Sequence, residues 1–471
     1  MSEIGAPAGL FDRALRRIAG VWRDMGSGVA AEDDDSIAAQ MRACLAGRGG
    51  EVSARNRAAR LAEAYVRTDE AGRRDFLVTL AGFDSDPDAL ARAYAALEAA
   101  TDPAEQAGAR ARLRRALEPP RVKLLTQFTT IPDGMKFLVD LRAALRGIAA
   151  GDPRLQALES DLRGLLANWF DVGFLELRRI DWCSPAILLE KLAGYEAVHE
   201  VRSWRDLKNR LDSDRRCYAF FHPRMPMEPL IFVEVALMKG LADNVQRLLD
   251  PKAPMQDARE ADTAIFYSIS NCQKGLSGIS FGNFLIKQVV DLLSAEFRNL
   301  KAFATLSPVP GFRRWLEAKL REPEANLLSV EEAEALGSAA TSPGTDEAAA
   351  PQTGQEALLA ILERRGWWRE PGLRKAAEPA LLRLCARYLL IESKDKRALD
   401  PVAHFHLTNG ARLERVNMLG DMSEKGAKES ATLMVNYLYD PAKIEEQHEA
   451  YVGEARRTAS SSVRKLARGW A

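Results

Sequence analysis

Thr263-Ala264-Ile265-Phe266-Tyr267-Ser268-Ile269, followed by Gly275-Leu276-Ser277-Gly278-Ile279-Ser280-Phe281-Gly282, is the stretch on which the fold of this chain turns. The first run is rich in β-branched and aromatic residues and reads as a buried strand. The second carries glycines at 275, 278 and 282 and leads into a helix from Asn283 to Phe297, with Leu285, Val289, Leu292 and Leu293 on one side. Ala302–Leu306 reads as the next strand, ending at Ser307-Pro308. Glycines between a strand and a helix let backbone N–H groups approach a phosphate, and the helix adds its positive end. A plain tight turn accounts for the same glycines, so the loop alone does not decide between the two.

Upstream, Cys217–Phe221 and Leu230–Val235 read as two more strands. From about residue 8 to residue 170 the pattern is different: apolar residues recur at helical spacing, as in Leu10, Leu15, Ile18, Val21 and Trp22. Asp34-Asp35-Ser36 supplies a helix start before Ile37, Met41 and Leu45. Pro87, Pro103 and Pro119-Pro120 punctuate the series, which continues through Leu138, Leu141 and Leu145 and closes with Leu155–Phe170. The expected organisation is an all-α bundle over residues 1–170, for packing or oligomerisation, and an α+β domain with a mixed sheet over 171–471. Within the latter, 323–355 is poor in apolar residues and is expected to be a flexible insertion. Helical stretches are expected at about 356–366 and 373–391, then a short alternating run from Asp400 to Leu407.

Bulk properties exclude several classes. Lys+Arg and Asp+Glu both total 66, so no general field draws nucleic acid or an anionic membrane. Cys44, Cys183, Cys217, Cys272 and Cys385 are scattered and odd in number, without CxxC spacing, and the five histidines form no HExxH pattern. No metal site and no disulfide framework are expected. The N-terminal segment has acidic residues and a helical period instead of a continuous apolar core, so neither a signal peptide nor a membrane span is expected, and the cytoplasm is the expected location.

The order strand, strand, strand, glycine loop, helix, strand resembles the acetyltransferase-type fold known as GNAT. A more specific resemblance is carried by Arg216-Cys217-Tyr218, Phe266-Tyr267-Ser268-Ile269-Ser270, Gly275-Leu276-Ser277-Gly278, Gly282-Asn283-Phe284-Leu285-Ile286-Lys287, Leu306-Ser307-Pro308-Val309-Pro310-Gly311-Phe312 and Asp400-Pro401-Val402-Ala403-His404-Phe405-His406-Leu407-Thr408-Asn409-Gly410. These are similar, in order, to the motifs of the malonyl-CoA decarboxylase family. The resemblance runs from about residue 165 almost to the C-terminus. It implies decarboxylation of malonyl-CoA to acetyl-CoA and CO2 with no cofactor beyond the CoA of the substrate, and a homo-oligomer, by family resemblance a tetramer. It also implies Ser307 as catalytic serine and His406 as catalytic histidine. Substrate binding is implied for Ser268 and for Ser277, Gly278, Ile279, Ser280, Phe281, Gly282 and Asn283. Some family members carry an acidic residue at the position of Ser280. Ala186 stands where a cysteine of a reported inter-subunit disulfide would be, so that bridge does not carry over.

Decarboxylation of a malonyl thioester needs no metal or pyridoxal, because the thioester carbonyl accepts the electron pair. The protein must anchor CoA, place donors at the thioester oxygen and protonate the α-carbon. Ser307 and Ser268 would end two neighbouring parallel strands that splay around the pantetheine arm, where the thioester emerges. If 400–407 is extended, His404 and His406 share a face, and only the family motif selects His406. Arg313, Arg314, Lys287 and Lys274 are expected as surface charge, and Trp367-Trp368 as packing. Two other readings stay open: CoA-dependent acyl transfer to an amine, and a non-catalytic acyl-CoA-binding module.

Overall fold

A computed structural model describes residues 18–26, 36–46, 50–279, 282–322, 327–341, 351 and 353–468, with only the backbone described at 282–284. The helical N-terminal domain comprises residues 18–26 and helices α1 (Ile37–Ala46), α2 (Gly50–Arg67), α3 (Glu70–Ala81), α4 (Pro87–Ala99), α5 (Pro103–Leu117), α6 (Pro120–Phe128), α7 (Gly134–Ile148) and α8 (Pro153–Trp169). The prolines that punctuate the sequence open helices, because a first-turn residue needs no N–H partner. Asp86, Asp102 and Asp152 cap three of these starts, accepting from the N–H groups of Asp88, Ala104 and Arg154 at 3.0, 2.8 and 2.9 Å. Leu138, Leu141 and Leu145 of α7 and Leu155, Leu158, Leu162 and Leu166 of α8 are buried on facing stripes.

The second domain is built on an eight-stranded mixed sheet of β1 (Glu176–Ile180), β2 (Arg215–Phe221), β3 (Ile231–Met238), β4 (Thr263–Asn271), β5 (Ala302–Thr305), β6 (Ser307–Pro308), β9 (Arg412–Asn417) and β10 (Met434–Tyr439); β7 (Ser393–Lys394) and β8 (Arg397–Ala398) form a separate hairpin. The order is β1-β2-β3-β4-β5-β10-β6, with β9 on β10. Among the described strands of the sheet, only β4 and β5 pair in parallel. Their contact starts at Thr263–Ala302 and stops at Phe266–Thr305, with a last bond from Leu306 N–H to Phe266 O at 3.0 Å. Beyond it β4 stays with β3 as far as Asn271, while the other chain passes to β10 through Ser307↔Val435. At the same level the β3–β4 register shifts from Glu234↔Ser268 to Val235↔Phe266, which leaves Tyr267 as a bulge. Among the described residues no strand pairing joins β4 beyond Phe266 to the chain at Ser307, so the two strands part there. The chain is therefore α+β, a helical region followed by a GNAT-like mixed-sheet domain.

Helix α9 (Ala186–Tyr195) covers the face of the sheet that carries Cys217, Ala219, Phe221 and Phe232. Helix α10 (Gly282–Glu296) follows the glycine loop on the other face and buries Leu285, Val289 and Leu293 as the sequence reading expects, with Ile286 and Val290 beside them, whereas Leu292 is exposed. Two expectations are corrected. Part of the supposed flexible insertion is a helix, α11 (Val330–Ala340), opened by a reciprocal capping box between Ser329 and Glu332 and anchored by buried Leu336 and Ala340; residues 342–350 lie outside the described residues. The Asp400–Leu407 run is not extended but is helix α12 (Pro401–Thr408). Asp400 Oδ1 accepts from Val402 and Ala403 N–H at 3.0 and 2.9 Å, Pro401 occupies the first turn, and the buried residues Ala403, His406 and Leu407 follow helical spacing.

Candidate active site

Helix α12 decides which histidine faces the sheet. Residues two apart on a helix point about 200° apart. His404 turns outward and bonds the Tyr451 hydroxyl through Nδ1 at 2.8 Å. His406 turns inward, 2% exposed, onto the sheet face that carries Thr305, Ser307, Tyr437 and Tyr439. Its Nε2 lies 3.0 Å from Ser307 Oγ, and its Nδ1 lies 2.8 Å from the Tyr439 hydroxyl. The Tyr437 ring stacks on the imidazole at 4.4 Å between centroids, 27° from parallel. The structure thus brings together the two expected catalytic residues and adds Tyr439, Tyr437 and Thr305, which sequence reasoning did not single out. The signal for the two tyrosines was the buried run Met434–Tyr439, in which they lie two apart and so share a face.

The hydrogen bonds form one directed chain. Thr305 Oγ1 accepts from Tyr437 N–H at 3.1 Å and from Ser307 Oγ–H at 2.9 Å. With its proton donated to Thr305, Ser307 accepts from Nε2–H of His406, and Nδ1 accepts from Tyr439. This is the neutral tautomer that the partners select. Burial alone pushes the His406 pKa from 6.5 down to about 3, so the ring is neutral at physiological pH. Among the described residues no arginine or lysine bonds Ser307, His406 or Tyr439. Ser307, His406 and Tyr439 are all buried, and among the described residues their side-chain bonds are to neutral groups.

Ser268 is placed elsewhere. Its cross-strand partner is Glu234, on the face covered by α9, whereas Ser307 pairs with Val435 on the opposite face. Its hydroxyl donates to the Glu196 carboxylate, 2.7 Å from Oε2 and 2.9 Å from Oε1, and lies 3.3 Å from Ser270 Oγ. Glu196 also accepts from Val198 and His199 N–H, both at 2.8 Å. The bulge at Tyr267 is the physical reason: it reverses the alternation of β4 just before residue 268. The expectation that both serine hydroxyls meet at one point is therefore corrected to two hydroxyls on opposite faces of the splayed pair. A cleft of about 520 Å³ on the Glu196 side is lined by Arg202, Arg210 and Lys425 but also by Glu200, Asp206, Asp250 and Asp421, a mixture that offers an anion no net attraction.

The glycine loop leaves β4 at Asn271 and makes a single 3₁₀ turn at Lys274–Leu276. Gly275 packs directly on α7: a Cβ there would lie 1.8 Å from Val139 O. Gly278 adopts φ +78°, and Ser277 and Gly278 are exposed beside half-buried Ile279. Ser280 and Phe281 lie outside the described residues, and of Gly282 and Asn283 only the backbone is described. Of the surface cations, Arg313 is internal instead, bonding Glu317 and the carbonyls of Ala427 and Leu362. Lys287 pairs with Glu445, and Trp367 and Trp368 are buried in an edge-to-face pair.

This geometry coincides with two family matches. Residues 173–470 match the model described as malonyl-CoA decarboxylase C-terminal domain, and residues 83–170 match the malonyl-CoA decarboxylase N-terminal domain. The chain belongs to the malonyl-CoA decarboxylase family. Within that family it is 39% identical over 362 residues to the mitochondrial malonyl-CoA decarboxylase of Anser anser anser, covering 75% of this chain and 70% of the relative. The Rattus norvegicus enzyme is 37% identical over 364 residues, covering 75% and 72%. Crystal structures of malonyl-CoA decarboxylases from Rhodopseudomonas palustris and Agrobacterium vitis are 42% and 41% identical; each covers 92% of this chain and 99% of its own, with a TM-score of 0.80. No described helix is long and apolar enough to cross a membrane.

Proposed function

We propose that this member of the malonyl-CoA decarboxylase family converts malonyl-CoA to acetyl-CoA and CO2 with Ser307 and His406 at the reacting atoms. The observation that carries this reading is the 3.0 Å contact between Ser307 Oγ and His406 Nε2 on one side of the β4–β5 gap. The substrate's pantetheine arm lies along the gap, with the phosphates at the glycine loop, Ser277 to Asn283. Ser268 meets the arm from the opposite face.

Ser307 hydrogen-bonds the malonyl group and holds the breaking C–C bond perpendicular to the thioester plane. That bond's electron pair passes to the α-carbon and into the carbonyl, forming the enolate, and CO2 departs. A carboxylate held without a cationic partner loses little on becoming neutral CO2, which suits a site free of lysine and arginine. Once CO2 has left, the enolate's negative charge favours the imidazolium of a ring that burial otherwise keeps neutral. His406 thus takes one solvent proton and delivers it to the α-carbon, while Tyr439 and Ser307 accept from or donate to either state of the ring. No bound metal or organic cofactor enters the scheme, and full turnover after exhaustive dialysis against chelator is its check.

The deciding experiment is a coupled assay with malonyl-CoA and no amine acceptor. Stoichiometric acetyl-CoA and CO2 are expected. CoA binding without turnover, or acyl transfer without CO2, would overturn the reading. A homotetramer in the cytoplasm completes the proposal. The tetramer rests on family resemblance and is refuted by a monomeric mass in light scattering. The cytoplasmic location is refuted by recovery of the protein from an organelle or membrane fraction; the animal relatives are named as mitochondrial.

A further inference from the structure

Four backbone carbonyls of the glycine loop are held from below by the helical domain. Arg142 Nη1 donates to Gly275 O at 2.5 Å and to Ser277 O at 3.0 Å. Arg146 donates to Lys274 O at 3.2 Å, and Arg163 to Gly278 O at 3.4 Å. Arg142 and Arg146 lie on α7 and Arg163 on α8, more than a hundred residues before the loop they hold. Arg142 is 2% exposed, and its Nε and Nη2 are fixed by Glu159 at 3.0 and 2.8 Å. Arg146 and Arg163 are exposed, and neither has an ion-pair partner among the described residues.

We propose that Arg142 is a positioning residue for the phosphate end of CoA, so that the helical domain is part of the substrate site. A carbonyl oxygen carries partial negative charge and repels a pyrophosphate, whereas an N–H attracts it. With the carbonyls of residues 274, 275, 277 and 278 turned onto guanidinium groups, and the N–H groups of Leu276, Ser277 and Ile279 bonded within the loop, the repelling acceptors are neutralised and the loop is held in one shape. Gly275 has no side chain because α7 must approach closely enough for Arg142 to reach two carbonyls at once. The exposed charges of Arg146 and Arg163 keep the rim of this subsite positive. A role confined to joining the two domains requires no relation between Arg142 and the phosphates of the ligand.

This inference rests on the decarboxylase reading for its substrate, but its test does not. In the full-length protein, Arg142→Met and Arg142→Lys are compared with wild type by calorimetric titration of CoA and by kinetics with malonyl-CoA and malonyl-pantetheine, which lacks the phosphates. For Arg142→Met, the CoA Kd and the malonyl-CoA KM should each rise about tenfold, with kcat within about twofold. The preference for malonyl-CoA over malonyl-pantetheine in kcat/KM should fall by the same factor, and Arg142→Lys should restore part of it. An unaltered preference overturns the proposal, as does an equal loss with both substrates. Should Arg142→Met fail to fold, Glu159→Gln loosens the guanidinium without removing it and is read by the same ratio: a lowered preference sustains the proposal and an unaltered one overturns it. Wild-type protein that binds CoA but releases no CO2 would overturn the decarboxylase reading and leave the CoA titration to judge Arg142.

Discussion

Ser307 Oγ and His406 Nε2 stand 3.0 Å apart although their positions in the chain differ by 99. The contact depends on β6 pairing with β10 and on α12 turning one of its two histidines inward. Tyr439, on the same strand as the partner of Ser307, fixes the far side of the imidazole.

Removing either member of this pair should slow chemistry more than binding. Ser307→Ala and His406→Asn are each expected to reduce kcat at least about tenfold, with KM for malonyl-CoA little changed. Tyr439→Phe keeps the ring packing and deletes one bond, so a smaller loss, about threefold to tenfold, is expected. Steady-state kinetics on folded variants checks all three; near-normal kcat in both Ser307→Ala and His406→Asn refutes the assignment.

Ser268 offers a contrast, because its hydroxyl is engaged by a carboxylate on the other face. Ser268→Ala leaves the half-buried Glu196 without that donor, and hydrogen bonds to charged groups are typically worth about 1.5–3 kcal/mol. Urea denaturation should show a loss of that size, while kcat falls less than in Ser307→Ala. A kcat effect equal to that of Ser307→Ala would instead place both hydroxyls at the reacting atoms.

The strands flanking the glycine loop were legible because β-branched and aromatic runs ended at turn residues, and the proline-opened helices because proline is favoured in the first turn. Helix α12 was misread for a local reason. Asp400-Pro401 is a good cap and first turn, but Val402, Phe405 and Leu407 mix two spacings over too few residues to separate them. The α11 helix was hidden by its small and acidic composition, although Ser329 and Glu332 carried the capping-box signal. Neither the arginines beneath the loop nor the turning of Ser268 toward Glu196 was legible. The first bind backbone carbonyls, which leave no trace in side-chain pattern, and the second follows from a one-residue bulge.

Protonation of His406 should couple pH to stability. The unfolded ring takes its proton below about 6.5, whereas the folded ring stays neutral until about 3. Between those values the unfolded state binds the extra proton, so stability falls as pH drops from about 6.5 to 3 and is unaffected by this group above that range. In His406→Asn the contribution is absent. The stability of wild type minus that of the variant should therefore shrink on acidification, with a limiting slope of about 1.4 kcal/mol per pH unit. Denaturant titrations at pH 7, 5 and 4 measure it; a difference independent of pH would show that the ring is not held neutral by burial.

Two glycines of the loop should respond differently to the same added methyl group. At Gly275 a Cβ would lie 1.8 Å from Val139 O and 2.7 Å from Val139 C, atoms of helix backbone that cannot swing aside. Gly275→Ala must lift the loop off α7, breaking the Arg142 bonds as it does so. The expected result is a stability loss of about 3 kcal/mol or more, together with weakened CoA binding. At Gly278 nothing lies within 4 Å of a Cβ, and the only cost is the left-handed φ of +78°. Gly278→Ala should therefore cost roughly 1–2 kcal/mol. Parallel urea melts and CoA titrations decide the matter: equal effects at the two positions would mean that close approach to α7 does not shape the loop.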